Sequence, residues 1–130
     1  MQRKFRLTRS EDFKRVRRSG KSYAHPLVVL IALKSEKSDQ PRVRVGVAAG
    51  RTVGTAVTRN RAKRLLREAM RTLIPNVAPQ DGFAGQEVAS NLDLVLIARP
   101  GLASASLDET RKALLNLLKR AQILFPIHEL

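Results

Sequence analysis

Residues 58–73 read Thr-Arg-Asn-Arg-Ala-Lys-Arg-Leu-Leu-Arg-Glu-Ala-Met-Arg-Thr-Leu. Ala62, Leu65, Leu66, Ala69, Met70 and Leu73 recur at i, i+3, i+4, i+7, i+8 and i+11, which a repeat of about 3.6 residues turns into one apolar stripe. The stretch is therefore predicted to be a helix. Thr58 is placed to cap its start, and Pro75 to stop it, because the proline ring clashes with the preceding turn and has no N–H to donate. At about 100° per residue, Asn60, Arg64, Arg67 and Arg71 project from the side opposite the stripe, with Arg61 and Lys63 flanking it. Only Glu68 dilutes this cationic ridge. Charged helix faces are ordinarily just solvated, but here the sign is nearly uniform, and like charges three and four apart destabilise an isolated helix. A polyanion would relieve that repulsion.

Outward from this helix, the charge is distributed unevenly. The chain carries 25 Lys plus Arg against 11 Asp plus Glu, a net charge of +14 on 130 residues. Residues 1–71 hold 20 basic and 5 acidic side chains, and residues 72–130 hold 5 and 6. This is the electrostatic footprint of a nucleic-acid binder, confined to one part of a chain whose 43% hydrophobic content suffices for a single folded core. No apolar run approaches the length of a membrane span, and no signal-peptide pattern opens the chain, so a cytoplasmic location is expected and no membrane partner. The absence of cysteine excludes disulfides, thiolate metal sites and a cysteine nucleophile. His25 and His128 stand far apart without a ligand cluster, so neither a metal site nor a catalytic residue is expected in the protein.

Taken in order, Arg3, Lys4, Arg6 and Arg9 surround Phe5 and Leu7 in a short basic arm, residues 1–7. Thr8 and Glu11 have the spacing of a capping box, Asp12 suits a helix start, and Lys14, Arg15, Arg17 and Arg18 crowd toward Gly20, predicting a first helix of about three turns. Phe13 is either core or a partly exposed aromatic that stacks on a base. Tyr23 to Leu33 reads as one strand restricted by Pro26, and Lys34 to Gln40 as a polar connector. Arg42 to Val47 alternates, with Val43, Val45 and Val47 on one side and Arg42 and Arg44 on the other; pairing these two strands antiparallel is the simplest arrangement. Gly50-Arg51-Thr52-Val53-Gly54 lacks the Gly-Lys-Ser/Thr of a phosphate loop, so no nucleotide site is assigned. Residues 75–91 read as a long loop, Leu92 to Ala98 as a strand, and Ser106 with Glu109 as a second capping box. The latter opens a last helix with Leu114, Leu117, Leu118, Ala121 and Leu124 on its apolar face, ended by Pro126. These elements make one α+β domain spanning 1–130, helices packed on a mostly antiparallel sheet.

Arg59-Asn60-Arg61-Ala62-Lys63-Arg64-Leu65-Leu66-Arg67-Glu68, preceded by Gly54, Ala56 and Val57 and by Arg44-Val45-Gly46-Val47, resembles the bacterial ribonuclease P protein component. Arg6-Leu7, Glu11-Asp12-Phe13 with Gly20, and the Val95 to Arg99 strand end extend the resemblance over nearly the whole chain. It implies the fold of ribosomal protein S5 domain 2, with a left-handed βαβ crossover against the usual handedness. It also implies a subunit that joins a large catalytic RNA to remove the 5′ leader from precursor tRNA. The active site and its Mg2+ would then belong to the RNA, making the holoenzyme an endoribonuclease whose protein is not catalytic alone.

By matching positions, the resemblance implies that Arg59, Asn60, Arg61, Lys63, Arg64 and Arg67 meet the catalytic RNA and its surroundings, and Arg71 continues the same ridge. Phe13 and Val29 match positions in a cleft for the single-stranded leader, with Arg51 at its edge. Arg17 and Ile31 stand at cleft positions where relatives often carry aromatic residues, and Thr52 replaces a common lysine. Phosphate neutralisation gives sequence-independent affinity, which suits a protein facing many different leaders. The alternative is a ribosomal or other structural RNA-binding protein. A DNA-binding role would need a helix-turn-helix pair that the isolated basic helix does not offer.

Overall fold

The computed structural model describes residues 5–38, 42–77 and 89–124. Arg3 and Lys4 of the basic arm, positions 78–88 of the long loop, Pro126 and His128 lie outside the described residues.

Helix α1 (Ser10–Ser19) is followed by strands β1 (Lys21–Ala24), β2 (Val28–Ser38) and β3 (Val43–Ala49), helix α2 (Ala56–Leu73), strand β4 (Ala89–Ala98) and helix α3 (Leu107–Arg120). The sheet order is β1-β2-β4-β3. β1–β2 and β2–β4 are antiparallel, whereas β3 runs parallel to β4. The expected antiparallel pairing of the second strand with the Arg42–Val47 strand is thus overturned: β4 inserts between them, and α2 forms the crossover that a parallel β3–β4 pair requires.

Several boundaries move for local reasons. The strand expected over Tyr23–Leu33 is two strands of a hairpin. Pro26 sits in the turn, where the Leu27 amide donates to His25 Nδ1 at 3.1 Å, so the imidazole has a turn-stabilising task. The expected connector after Leu33 is strand up to Ser38, and residues 89–91 of the expected loop belong to β4, because each continues the other's ladder: Lys37 pairs with Ser90 and Ser38 with Ala89. Thr8 does not cap α1, whose N-cap is Arg9 without a side-chain cap bond. Thr55, not Thr58, caps α2: its Oγ1 accepts from the Thr58 amide at 3.3 Å. The α2 helix ends at Leu73, with Pro75 in the tight turn that follows. The capping box of α3 forms in full, Ser106 Oγ accepting from the Glu109 amide and Glu109 from the Ser106 amide. That helix stops at Arg120 rather than at Pro126, with Gln122 at a positive φ of 60°.

The sheet separates two apolar layers. On one face Val28, Leu30, Leu92, Leu94 and Leu96 pack against the stripes of α2 and α3; on the other Ile31 and Val95 pack against α1 through Val16, with Leu7 beside them. Leu7 is buried and its amide donates to Val45 O at 2.9 Å, so the end of the basic arm is tied to the outer edge of β3. Of the α2 stripe, Ala62, Leu66, Ala69, Met70 and Leu73 are buried and Leu65 is half-buried. Burying Leu66 and Met70 contributes about 2 kcal/mol each, against a few tenths for each like-charge pair on the ridge. Packing onto the sheet therefore holds α2 despite its cations.

Candidate nucleic-acid interface

The α2 cations do not share one environment. Asn60 and Arg64 are exposed, whereas Arg59, Lys63 and Arg67 are half-buried. Arg61 is exposed but spends its Nε proton on Ala103 O at 2.8 Å, anchoring α2 to the turn ahead of α3. Arg71 is neutralised by Glu68, Nη2 to Oε2 at 2.6 Å; this bond raises the guanidinium pKa and lowers the carboxyl's. Arg67 goes the other way: burial lowers its pKa, and the positive charge of Arg6 lowers it further. Among the described residues, no carboxylate forms an ion pair with Arg64 or Arg67.

Two adjoining grooves meet at these cations. A cavity of about 540 Å³ is ringed by Arg6, Arg61, Arg64 and Arg67, with Leu65, Leu107 and Glu68 completing its lining. A second, of about 290 Å³, is lined by Leu7, Thr8, Phe13, Val45 and Val47 together with the same Arg6 and Arg67. Arg67 thus belongs both to the cationic helix and to the groove that contains Phe13.

The position of Phe13 follows from Gly46 and Asp93. A Cβ on Gly46 would lie 2.5 Å from the Phe13 Cζ, so only a glycine lets the ring rest on β3. Asp93 on β4, 2% exposed, accepts from Arg15 of α1 at 2.6 Å and from Arg44 of β3 through two bonds at 3.0 Å. Burial pushes the Asp93 carboxyl up, but the hydrogen bonds from Arg44 and Arg15 outweigh it and hold the carboxyl below its ordinary range. Asp12 joins both arginines, at 3.2 Å from Arg15 and 3.8 Å from Arg44. The first helix is locked across the sheet by this cluster, which no spacing within one segment discloses, since Asp93 lies mid-strand in an otherwise apolar run.

Of the expected cleft residues, Phe13, Val29 and Ile31 fall in one apolar cluster on the α1 face of the sheet. Ile31 is 6% exposed and sits beneath Gly20, where a Cβ would meet its Cγ2 at 2.8 Å, so it supports the cleft floor rather than presenting surface. Val29 is half-buried and pairs with Ile97, which pairs in turn with Ala48, and all three keep partial exposure. Ile97 and Ala48 are thus apolar neighbours of Val29 that sequence reasoning missed. Both faces of β4 are apolar, so alternation alone does not say which side chains stay uncovered. Arg51 is exposed on the turn after β3, at the same end of the sheet, and Arg17 is exposed one helical turn after Phe13.

No group of three or more His, Cys, Asp or Glu that could hold a metal occurs among the described residues, and none of their helices is long and apolar enough to cross a membrane. A basic helix crossing over from β3 to β4, beside an apolar row and an aromatic side chain, defines the class: a single-domain α+β protein with a basic face of the kind that binds nucleic acid. The match to the Ribonuclease P family model runs over residues 1–122, and the chain belongs to that family. It is 37% identical over 123 residues to the ribonuclease P protein component of Exiguobacterium sp., covering 95% of each chain, and 36% identical to that of Herpetosiphon aurantiacus, covering 95% of this chain and 89% of the relative. The structure of the RNase P protein from Thermotoga maritima superposes with a TM-score of 0.68 at 30% identity, over 88% of this chain and 96% of that one. The Staphylococcus aureus RNase P protein, at 22% identity, shares the fold with a TM-score of 0.72 over 92% and 97%.

Proposed function

We propose that this protein, as the protein subunit of ribonuclease P, binds the catalytic RNA through α2 and the single-stranded 5′ leader of precursor tRNA across the open apolar row. In this reading Arg59, Lys63, Arg64 and Arg67 neutralise RNA phosphates, while Phe13, Val29, Ile97 and Ala48 offer a base-tolerant apolar surface with Arg17 and Arg51 at its margins. The observation that carries it is Arg67, shared between the cationic helix and the Phe13 groove, which makes the two RNA-facing surfaces contiguous. Endonucleolytic cleavage then falls to the RNA with its Mg2+, in the cytoplasm; among the described residues, no group of three or more His, Cys, Asp or Glu offers the protein a metal site for that chemistry.

The test is cleavage of precursor tRNA at low, physiological magnesium. The nuclease-treated protein alone should be inactive, and the protein with its catalytic RNA should turn over. Multiple turnover by the protein alone would overturn the reading.

A further inference from the structure

The groove between α2 and the start of α3 has a composition that phosphate binding does not account for. Its rim is cationic, but Leu65 and Leu107, both half-buried, contribute an apolar surface to it. Phosphates alone gain nothing from such a surface. Arg61, held by Ala103 O at 2.8 Å, places its guanidinium at the rim in a fixed orientation, and the carboxylate of Glu68 is engaged by Arg71 at 2.6 Å. Arg6 and Arg67 bring like charges to one wall, and Arg67 is partly desolvated there, a strain that an anion relieves.

We propose that this groove receives one unstacked nucleotide of the RNA that α2 meets, its base against Leu65 and Leu107 and its phosphate against Arg64 and Arg67. The proposal rests on the reading of α2 as an RNA-binding helix. A cavity of about 540 Å³ is in the range of small-ligand sites. Nucleobases pack on apolar surface and stack on guanidinium planes, so one nucleotide satisfies both halves of the lining. Paired RNA would not, because its bases are enclosed within the A-form helix. The groove would therefore select a bulged or looped nucleotide, giving the α2 interface a shape preference that phosphate contacts lack.

The full-length protein, reconstituted with its catalytic RNA, tests this. The chain has no cysteine, so Leu107→Cys bearing a photoreactive group labels a single position. Cross-linking should map to the base of one unpaired nucleotide of the catalytic RNA. Making that nucleotide abasic should lower the affinity of the unaltered protein roughly tenfold, the scale of one lost stacked base. Leu107→Ala should give a loss of similar size without changing the salt slope, Leu107→Met should restore binding, and Leu107→Ala with the abasic RNA should lose little more than either alone. Should Leu107→Ala fail to fold, the abasic RNA decides the outcome with the unaltered protein. Cross-links spread over paired regions or confined to the precursor leader, or an abasic RNA that binds normally, would overturn the proposal. If Arg64→Ala still lowers the salt slope by about one unit, the RNA role of α2 stands without the nucleotide pocket. If Arg64→Ala leaves that slope unchanged, the reading of α2 itself fails.

Discussion

Arg67 and Asp93 are charged residues whose environments set opposite consequences for mutation. Arg67 is partly desolvated beside Arg6, so replacing it removes a repulsion as well as a cation. The double change Arg64→Ala and Arg67→Ala should leave thermal stability within about 0.5 kcal/mol of the unaltered protein, because alanine favours the helix and neither arginine forms an ion pair with a described carboxylate. Its effect should appear in binding: the slope of log affinity against log salt should fall in magnitude by up to about two units, since each arginine contributes about one released counterion. Leu66→Ala is the matching control on the buried side. It should cost about 2–5 kcal/mol of stability while leaving the salt slope of the folded fraction unaltered. Leu65 does not serve as that control because it is half-buried and lines the groove.

Asp93→Asn should do the reverse, lowering stability by about 2–3 kcal/mol at neutral pH. This is less than for a wholly buried pair, since Arg15 and Arg44 keep 38% and 22% side-chain exposure. The folded-state pKa of Asp93 lies below the ordinary value of 3.8, so its contribution is fully present above about pH 4 and is lost as pH falls through the folded value. Urea midpoints measured downward from pH 5 should accordingly fall more steeply for the unaltered protein than for Asp93→Asn. Parallel slopes would mean that the carboxylate is not held by its arginines.

At the scale of elements, α1 and α2 are positioned by different means. The second helix is held by a buried stripe, the first by a small apolar patch plus the Asp93 cluster and the seat that Gly46 gives Phe13. Gly46→Ala should displace the Phe13 ring, since its added Cβ would fall within 2.5 Å of the ring's Cζ, at a stability cost of about 1–3 kcal/mol. The expected signature is a reduced preference of the holoenzyme for precursor over mature tRNA, with mature-tRNA binding unchanged. Equal loss for both RNAs would show that the substitution acts through general unfolding.

For the whole molecule, the unequal charge of the two chain segments becomes a three-dimensional asymmetry. The strongly basic first 71 residues supply α1, β1, β2, β3 and α2, and bring Arg6 and Arg67 beside Phe13 of α1 and Val45 and Val47 of β3, whereas α3 carries acidic residues in its first turn and basic ones in its last. A holoenzyme that reads the leader through this face should bind precursor tRNA more tightly than mature tRNA, and the advantage should shrink as the leader is shortened. Equal affinities at every leader length would detach the cleft from substrate binding.

The sequence by itself determined the helices, the cationic ridge and the family, because each depends on spacing within one segment: a 3.6-residue stripe, a capping box at Ser106 and Glu109, and basic side chains recurring on one face with only Glu68 among them. It also set the facing of Val43, Val45 and Val47 against Arg44, a period-two pattern internal to β3. Strand order was beyond it. β2 and β4 are apolar on both faces because helices cover both sides of the sheet, so their patterns do not disclose which neighbour each takes, and β4 entered between β2 and β3. Only the tertiary structure could place Asp93 between Arg15 and Arg44, residues 78 and 49 positions away, or lay the Phe13 ring on Gly46. Likewise, whether a cation on α2 faces water, pairs with a neighbour or lines a groove depends on what packs beside the helix. That is why Arg61, Arg67 and Arg71, three cations of one basic helix, came to have three different environments.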